Sequence, residues 1–269
     1  MIRSFLMALL GFAFFTACES SDDDTATTST DDTSSVSDTG DDTTTGNDTA
    51  NVPGTYTDLD APAVNALLEE DYYAVVIDVS PYYDAGHIPG SLNFYVGGTE
   101  LDNALPSIDK AFTYIIYCHS DAASIPAAEK FVKAGFPNVY RLAGNYAAWT
   151  SAGFPVQQTA DGYMDVTPTA ANVLIDGKSN VTTIDVSPVY DEGHLPGAVS
   201  YPLGDGSLEA VIPTLKSEQI YLVYCHGVEP SVTASEMIFA AGFAPVYRLA
   251  GNYSAWVAYG FSVETTANY

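Results

Sequence analysis

Apolar runs and mixed apolar and polar stretches alternate along most of the chain. Runs rich in β-branched and aromatic residues, which are typical of buried strands, occupy residues 74–79, 114–117 and 138–142. Helix-like stretches follow them or precede them at residues 62–70, 126–134 and 146–150. This alternation predicts an α/β fold in which a parallel sheet is flanked by helices on both faces.

The same pattern occurs twice, with a constant offset of 107 residues. DVSP at residues 78–81 recurs at 185–188, YCH at 117–119 recurs at 224–226, and VYRLAGNY at 139–146 recurs at 246–253. Motifs that keep their register without any insertion indicate a duplicated domain. We therefore predict two tandem copies, the first over residues 56–159 and the second over residues 163–269.

The N-terminus has the pattern of a secretion signal. Arg3 precedes an apolar run at residues 5–15, which is too short to span a bilayer, and FTAC at residues 15–18 resembles a bacterial lipobox. We predict a lipoprotein signal peptide over residues 1–17 and lipidation of Cys18, which would hold the protein on a membrane of the bacterial cell envelope, facing the periplasm or the exterior. The alternative is an ordinary signal peptide with an incidental cysteine.

The segment that follows is acidic and almost free of apolar residues. Residues 19–55 contain ten acidic residues and no basic one. Such a composition cannot bury a core, so residues 18–55 are predicted to be a disordered linker. The whole chain has a formal net charge of −26. Nucleic acid is therefore excluded as a partner, because phosphate binding requires clustered Lys and Arg.

Two cysteines occupy equivalent positions at the ends of predicted strands. Cys118 and Cys225 each precede a short loop that leads into a predicted helix. Ligands bind at this edge of α/β sheets, and a helix N-terminus favours a thiolate, so both cysteines are candidate catalytic nucleophiles. The alternative is inert packing, because free cysteine is often buried. A disulfide would require the two equivalent sites to meet face to face, so independent thiols are the simpler interpretation.

Taken in order, these motifs resemble the rhodanese (thiosulfate sulfurtransferase) domain. D-V-S-P-x-Y-D-x-G-H-x-P-G, then Y-C with its short loop, then A-G-F and V-Y-R-L-A-G-N-Y-x-A-W are present in both copies. The resemblance implies a cysteine that takes sulfane sulfur as a persulfide and passes it to a thiol, a protein or another nucleophilic acceptor, with no cofactor. Cys118 and Cys225 match the family's catalytic position.

The loops after the cysteines depart from the family pattern. The resemblance predicts that the substrate loops are formed by His119, Ser120, Asp121, Ala122, Ala123 and Ser124, and by His226, Gly227, Val228, Glu229, Pro230 and Ser231. Many rhodaneses have Arg or Lys at the position of Ala123 and Pro230. Here the loops contain acids instead, which repel a dianion. We therefore expect polysulfide to be favoured over thiosulfate as donor. The alternative is a catalytically degenerate rhodanese-like module used for binding or scaffolding.

The remaining polar residues near the motifs have simpler interpretations. His119 and His226 either raise the thiolate fraction or are solvent-facing loop residues. Each copy supplies only two adjacent Cys and His candidates, too few for a metal site, so no metal is expected. Arg141 and Arg248 are expected to pair with nearby carboxylates, either structurally or beside the site. Structural roles are predicted for the other polar side chains and the tryptophans, namely His87, His194, Asp78, Asp185, Trp149 and Trp256.

Overall fold

The computed structural model of the chain describes residues 54–266. The predicted signal peptide, the lipidation site Cys18 and nearly all of the predicted linker lie outside the described residues, as do residues 267–269. Two five-stranded sheets are present, and every strand pair within them is parallel. Helices flank each sheet, so the predicted fold of two tandem α/β domains is confirmed.

The first copy has its strands in the order β1-β5-β4-β2-β3. Its strands are β1 (Thr57–Leu59), β2 (Ala74–Asp78), β3 (Leu92–Asn93), β4 (Thr113–Tyr117) and β5 (Val139–Leu142). Its helices are α1 (Ala61–Glu70), α2 (Glu100–Ala104), α3 (Asp121–Lys133) and α4 (Asn145–Ser151). The central strands β2 and β4 are buried along their whole length, which explains why their sequences are continuous apolar runs.

The second copy repeats this arrangement in the order β6-β10-β9-β7-β8. Its strands are β6 (Met164–Val166), β7 (Val181–Asp185), β8 (Val199–Ser200), β9 (Ile220–Tyr224) and β10 (Val246–Leu249). Its helices are α5 (Pro168–Gly177), α6 (Ser207–Val211), α7 (Val228–Ala240) and α8 (Asn252–Ala258).

Local sequence fixes several of the helix ends. Asp60 accepts a hydrogen bond from the backbone N–H of Ala63 at 2.9 Å, which caps α1, and Thr167 caps α5 in the same way. Gly135 and Gly242 follow the ends of α3 and α7 with φ of +86° and +93°, a conformation that glycine adopts without steric strain.

The second predicted helix of the first copy starts earlier than expected. We predicted residues 126–134, but α3 begins at Asp121 and encloses Pro126. Because Pro is most common at a helix start, Pro126 suggested the wrong boundary. Residues 121–124 and 228–231, which were predicted to be substrate loop, are therefore the first turns of α3 and α7.

One of three clusters of buried apolar residues is shared by the two copies. The largest cluster of buried residues contains strand residues of both copies, with Val75 and Ile77 from the first and Met164 and Val166 from the second. Helix α5 of the second copy packs against β2 of the first. Polar contacts across the same boundary join Tyr83 to Tyr247, Thr169 to Tyr72 and Lys178 to Glu100.

None of the helices within residues 54–266 combines the length and the apolar character that crossing a membrane requires.

Candidate active site

Cys118 lies directly after β4, at the carboxyl edge of the first sheet. Its backbone is held from both sides by the start of α4. The backbone N–H of Cys118 donates to Oδ1 of Asn145 at 3.0 Å, and its carbonyl accepts from the backbone N–H of Tyr146 at 3.0 Å. The thiol is free, and the residue is only 3% exposed. The cysteine therefore has a fixed backbone position at the edge where α/β sheets bind ligands.

Asn145 has an unusual conformation that makes this clamp possible. Its φ is +58°, in the left-handed region that Asn tolerates better than most residues, and it is buried. The preceding Gly144 also has positive φ, and a Cβ at that position would lie 2.9 Å from the Cβ of Ala148. The Ala-Gly-Asn-Tyr sequence thus turns the chain sharply from β5 into α4 and directs the Asn145 amide at Cys118.

A chain of polar contacts connects this clamp to the start of α3. The Asp121 carboxylate accepts a hydrogen bond from Nδ2 of Asn145 at 2.7 Å and another from Nη1 of Arg141. Arg141 also binds Asp58, its register partner on β1, through Nε at 2.8 Å and through Nη2. The first copy therefore has a cation near the cysteine, but it comes from β5 and is neutralised by two carboxylates.

The second copy repeats the clamp but not the whole network. The backbone N–H of Cys225 donates to Oδ1 of Asn252 at 3.1 Å, and the carbonyl of Cys225 accepts from the backbone N–H of Tyr253 at 3.0 Å. Asn252 has φ of +57°, and Cys225 is free and 2% exposed. Val228 begins α7 at the position where Asp121 begins α3.

The substrate loops were predicted to have six residues each, but only two residues of each lie outside the helices. His119 and Ser120 connect Cys118 to α3, and His226 and Gly227 connect Cys225 to α7. The other eight residues assigned to these loops are helical. Asp121, Ala122, Val228 and Glu229 are exposed, Ala123 and Pro230 are half-buried, and Ser124 and Ser231 are buried. The acids of the two copies are not at equivalent positions, because Glu229 corresponds to Ala122 and Asp121 corresponds to Val228.

The Rhodanese-like domain family model matches residues 60–152 and again residues 167–259. The chain belongs to the rhodanese-like domain family. Its two copies are tandem rhodanese-like domains, as the order of the motifs predicted.

Known relatives match one domain or both. The thiosulfate sulfurtransferase GlpE of Pseudomonas fluorescens (strain SBW25) is 31% identical over 90 residues, which are 33% of this chain and 81% of the relative. A crystal structure of a thiosulfate sulfurtransferase from Pseudomonas aeruginosa matches at 18% identity and a TM-score of 0.36, over 78% of this chain and 44% of that chain. The Alr3790 protein from Anabaena sp. matches at 28% identity and a TM-score of 0.35, over 37% of this chain and 81% of that chain. This chain therefore spans less than half of the Pseudomonas aeruginosa protein.

In both rhodanese-like domains the histidine after the cysteine packs against aromatic rings. His119 stacks on Tyr146 with ring centroids 4.6 Å apart, and His226 stacks on Tyr253 at 4.1 Å. The ring nitrogen Nε2 of His226 lies 3.2 Å from the carbonyl oxygen of Gly193. Burial lowers the pKa of His119, which favours its neutral form. Both histidines are half-buried. For His119, the stacking and the lowered pKa favour a structural role over that of a nearby imidazolium.

Gly86 and Gly193 make room for these stacked rings. A Cβ on Gly86 would lie 2.4 Å from the hydroxyl of Tyr146, and a Cβ on Gly193 would lie 2.0 Å from that of Tyr253. The φ of Gly86 is 166°, which is extended backbone that any residue adopts. The glycine of each Gly-His-x-Pro-Gly motif is therefore required by packing and not by conformation.

His87, Asp78 and Asp185 of the repeated motifs make the backbone contacts that were predicted for them. Nδ1 of His87 lies 2.8 Å from the carbonyl oxygen of Tyr83, and Asp78 accepts from the backbone N–H of Ser80 at 2.7 Å. Asp185 does the same for Ser187 at 2.7 Å. Burial raises the pKa of Asp78 to about 6, while its hydrogen bonds to Ser80 oppose the shift.

Sequence reasoning missed the residues that position the cysteines. Asn145 and Asn252 were read only as part of a family motif, and Asp58 and Asp165 were not considered. One signal was available, since each Gly-Asn-Tyr follows a predicted strand and can accept a left-handed turn. Among residues 54–266, no group of three or more His, Cys, Asp or Glu side chains is arranged to hold a metal ion.

Proposed function

We propose that the protein is a cell-envelope sulfurtransferase or sulfane-sulfur carrier. Cys118 and Cys225 each form a persulfide and pass its outer sulfur to a thiol or another nucleophilic acceptor. Membership of the rhodanese-like family supports this type of activity, as does the match to a relative named as a thiosulfate sulfurtransferase. Polysulfide is the favoured donor.

The observation that carries this proposal is the shared geometry of the two cysteines. Each free cysteine follows the central strand of a parallel sheet, and its backbone is held on both sides by an Asn-Tyr pair. Two residues separate each cysteine from the first residue of a 13-residue helix. A helix N-terminus presents free N–H groups that stabilise an anion. A persulfide anion at this position would gain that stabilisation.

The proposed reaction has two displacements on sulfur. The cysteine thiolate attacks a sulfur atom of the polysulfide, an S–S bond of the donor breaks, and the shortened polysulfide leaves with the electron pair. The acceptor thiolate then attacks the outer sulfur of the cysteine persulfide, and the cysteine thiolate leaves. One sulfur atom passes from donor to acceptor, and no external oxidant or reductant is consumed.

Two features favour polysulfide over thiosulfate as donor. Both cysteines are buried, so a slim, unbranched sulfur chain reaches them more easily than a bulky group does. The connecting residues after each cysteine contain no Lys or Arg, and the nearest cation of the first domain, Arg141, is paired with Asp58 and Asp121. The oxygens of thiosulfate would therefore find little compensating positive charge in the first domain, whereas a polysulfide chain has no oxyanion group to bind.

Mass spectrometry tests the proposed activity. The purified, reduced protein is incubated separately with polysulfide and with thiosulfate, and any added sulfur is located by intact-mass and peptide measurements. We expect a gain of sulfur at Cys118 and Cys225 that a thiol acceptor removes, and the preference for polysulfide over thiosulfate should be greatest at Cys118. Cys118→Ser and Cys225→Ser each lose one loading site. If an alkylating reagent reaches both thiols but neither donor loads them, the enzyme interpretation is wrong and the alternative of a binding or scaffold module is favoured.

The cell-envelope location is supported by the sequence of residues 1–55 alone. We propose that Cys18 carries a lipid and that the acidic linker holds the two domains away from the membrane surface. Expression with a labelled fatty acid in a bacterial host tests this. Label should enter the wild-type chain and not Cys18→Ala, and equal labelling of both proteins would contradict a lipid at Cys18.

A further inference from the structure

The two domains differ at the first residue of the helix that follows the cysteine. Asp121 begins α3, and Val228 begins α7. Both side chains are exposed, at 60% for Asp121 and 59% for Val228. The change from Asp to Val therefore does not affect packing in the core, but it removes a hydrogen-bond acceptor from the buried Asn and Arg side chains nearby.

In the first domain the Asp121 carboxylate is an acceptor for two buried donors. Asn145 is 3% exposed and donates through Nδ2 at 2.7 Å, and Arg141 is 6% exposed and donates through Nη1. Both hydrogen bonds reach the same oxygen, Oδ1. This first-domain site shows that an oxyanion fits between the arginine, the asparagine and the helix N-terminus.

In the second domain the donors are present but the carboxylate is absent. Asn252 is 2% exposed, and its Nδ2 has no acceptor among residues 54–266. The side chain cannot turn its oxygen to that position without losing the hydrogen bond from Cys225 to Oδ1. Arg248 is 8% exposed and binds Asp165 through Nη2 at 2.6 Å. Its Nη1, the atom that in Arg141 donates to Asp121, has no hydrogen bond within the described residues, whereas its unpaired Nε corresponds to the atom of Arg141 that binds Asp58.

Unpaired buried donors are unfavourable, so a ligand that supplies oxygens to them is stabilised. The side chain of Val228 ends one bond short of the position that the Asp121 oxygens occupy in the first domain. Arg248 has one carboxylate partner where Arg141 has two, so the local charge is more positive in the second domain. Glu229 is the acid nearest in sequence, and its side chain is exposed to solvent.

We propose that the N-terminus of α7, together with Asn252 and Arg248, binds a small oxyanion beside Cys225, and that the first domain fills the equivalent site with its own Asp121. The ligand class is a carboxylate or a sulfur oxyanion, since either presents an anionic oxygen to Nδ2 of Asn252 and Nη1 of Arg248, as Oδ1 of Asp121 does to the equivalent atoms of the first domain. Because the Asn252 amide also holds the backbone N–H of Cys225, this anion lies within one side chain of the candidate nucleophile.

The consequence for sulfur transfer rests on the proposed function. If both cysteines carry sulfur, the second domain accepts donors or acceptors that bear an oxyanion group, and the first domain excludes them. The two domains then have different substrates, and Val228 and Asp121 determine the difference.

Calorimetry on a chain without thiols measures binding separately from sulfur transfer. The full chain with Cys118→Ser and Cys225→Ser is titrated with sodium thiosulfate and, in a separate arm, with sodium acetate, at constant ionic strength. We expect one anion to bind per chain. The arm with the tighter binding identifies the preferred oxyanion.

Reciprocal substitutions supply the matched controls. Val228→Asp places a carboxylate among the donors and should weaken anion binding at least about ten-fold while raising the melting temperature in anion-free buffer. Asp121→Val should create a second site. Binding that is unchanged in Val228→Asp, or absent from the parent chain in both arms, would overturn the assignment. Sulfur loading of the unsubstituted protein is measured independently, so the proposed function stands or fails on its own result.

Discussion

Asn145→Asp is a nearly isosteric change that should destabilise the protein strongly. The variant keeps an oxygen for the backbone N–H of Cys118, but it replaces the donor Nδ2 by a carboxylate oxygen about 2.7 Å from Oδ1 of Asp121. Two unit charges about 3 Å apart repel by about 1.4 kcal/mol in water and about 5.5 kcal/mol at an effective dielectric constant of about 20. Asp121 is 60% exposed, so the lower value is the better guide. Loss of a hydrogen bond to a charged group adds about 1.5–3 kcal/mol, which gives a total of about 3–4.5 kcal/mol.

Asn252→Asp is the matched control, because no carboxylate faces this residue. Val228 occupies the position of Asp121, and the substitution removes an unpaired buried donor. Arg248 also lacks the second carboxylate partner that Arg141 has in Asp121, so the new carboxylate adds a negative charge near a less neutralised arginine. We expect the free energy of unfolding of the Asn252→Asp variant to exceed that of the Asn145→Asp variant by about 2–3 kcal/mol.

Urea unfolding at about pH 7 and about pH 4 measures both effects. Repulsion and burial raise the folded-state pKa of the new carboxyl at position 145 above its unfolded value, so the folded variant takes up a proton first. The deficit of Asn145→Asp should therefore shrink as the pH falls. Equal stability of the two variants at neutral pH, or a deficit that does not change with pH, would refute the proposed network around Asp121.

Two further substitutions test other parts of the fold. Gly193→Ala should destabilise the protein by about 1–3 kcal/mol in thermal melts, because the added Cβ displaces the Tyr253 ring. Gly227→Ala is the control, since its Cβ meets only an ordinary contact at 3.6 Å and the substitution should be nearly neutral. Similar melting temperatures of the two variants would contradict this prediction. Asp78→Asn should remove a stability gain of up to about 3 kcal/mol that the wild type shows as the pH falls from about 7 to about 4, since the folded-state pKa of Asp78 is raised to about 6. Parallel pH profiles for Asp78→Asn and the wild type would exclude this titration.

The central strands and the duplicated fold could be predicted from local sequence. Strands β2 and β4 are continuous apolar runs because helices cover both faces of a parallel sheet, and this burial is visible in composition alone. The edge strand β3 has only two residues, and β1 has three, so neither offers a period long enough to recognise.

The partners of the cysteines could not be predicted, because they depend on contacts between distant residues. The acidity of Asp121 was correctly noted, but its neutralisation by Arg141 requires β5 to lie beside β4 with a particular register. The loop sequence alone therefore overstated the negative charge at the first site. The inequivalence of Asp121 and Glu229 follows from the constant offset of the repeats, and that signal was present in the sequence.

We expect the apolar cluster common to both domains to couple their unfolding. Removing either domain would expose to water the faces of α5 and β2 that now pack together. We therefore expect one cooperative unfolding transition, with neither domain stable as an isolated fragment. A ligand that binds only beside Cys225 in the second domain would then also stabilise the first domain against unfolding, because the first domain cannot unfold while the second domain remains folded.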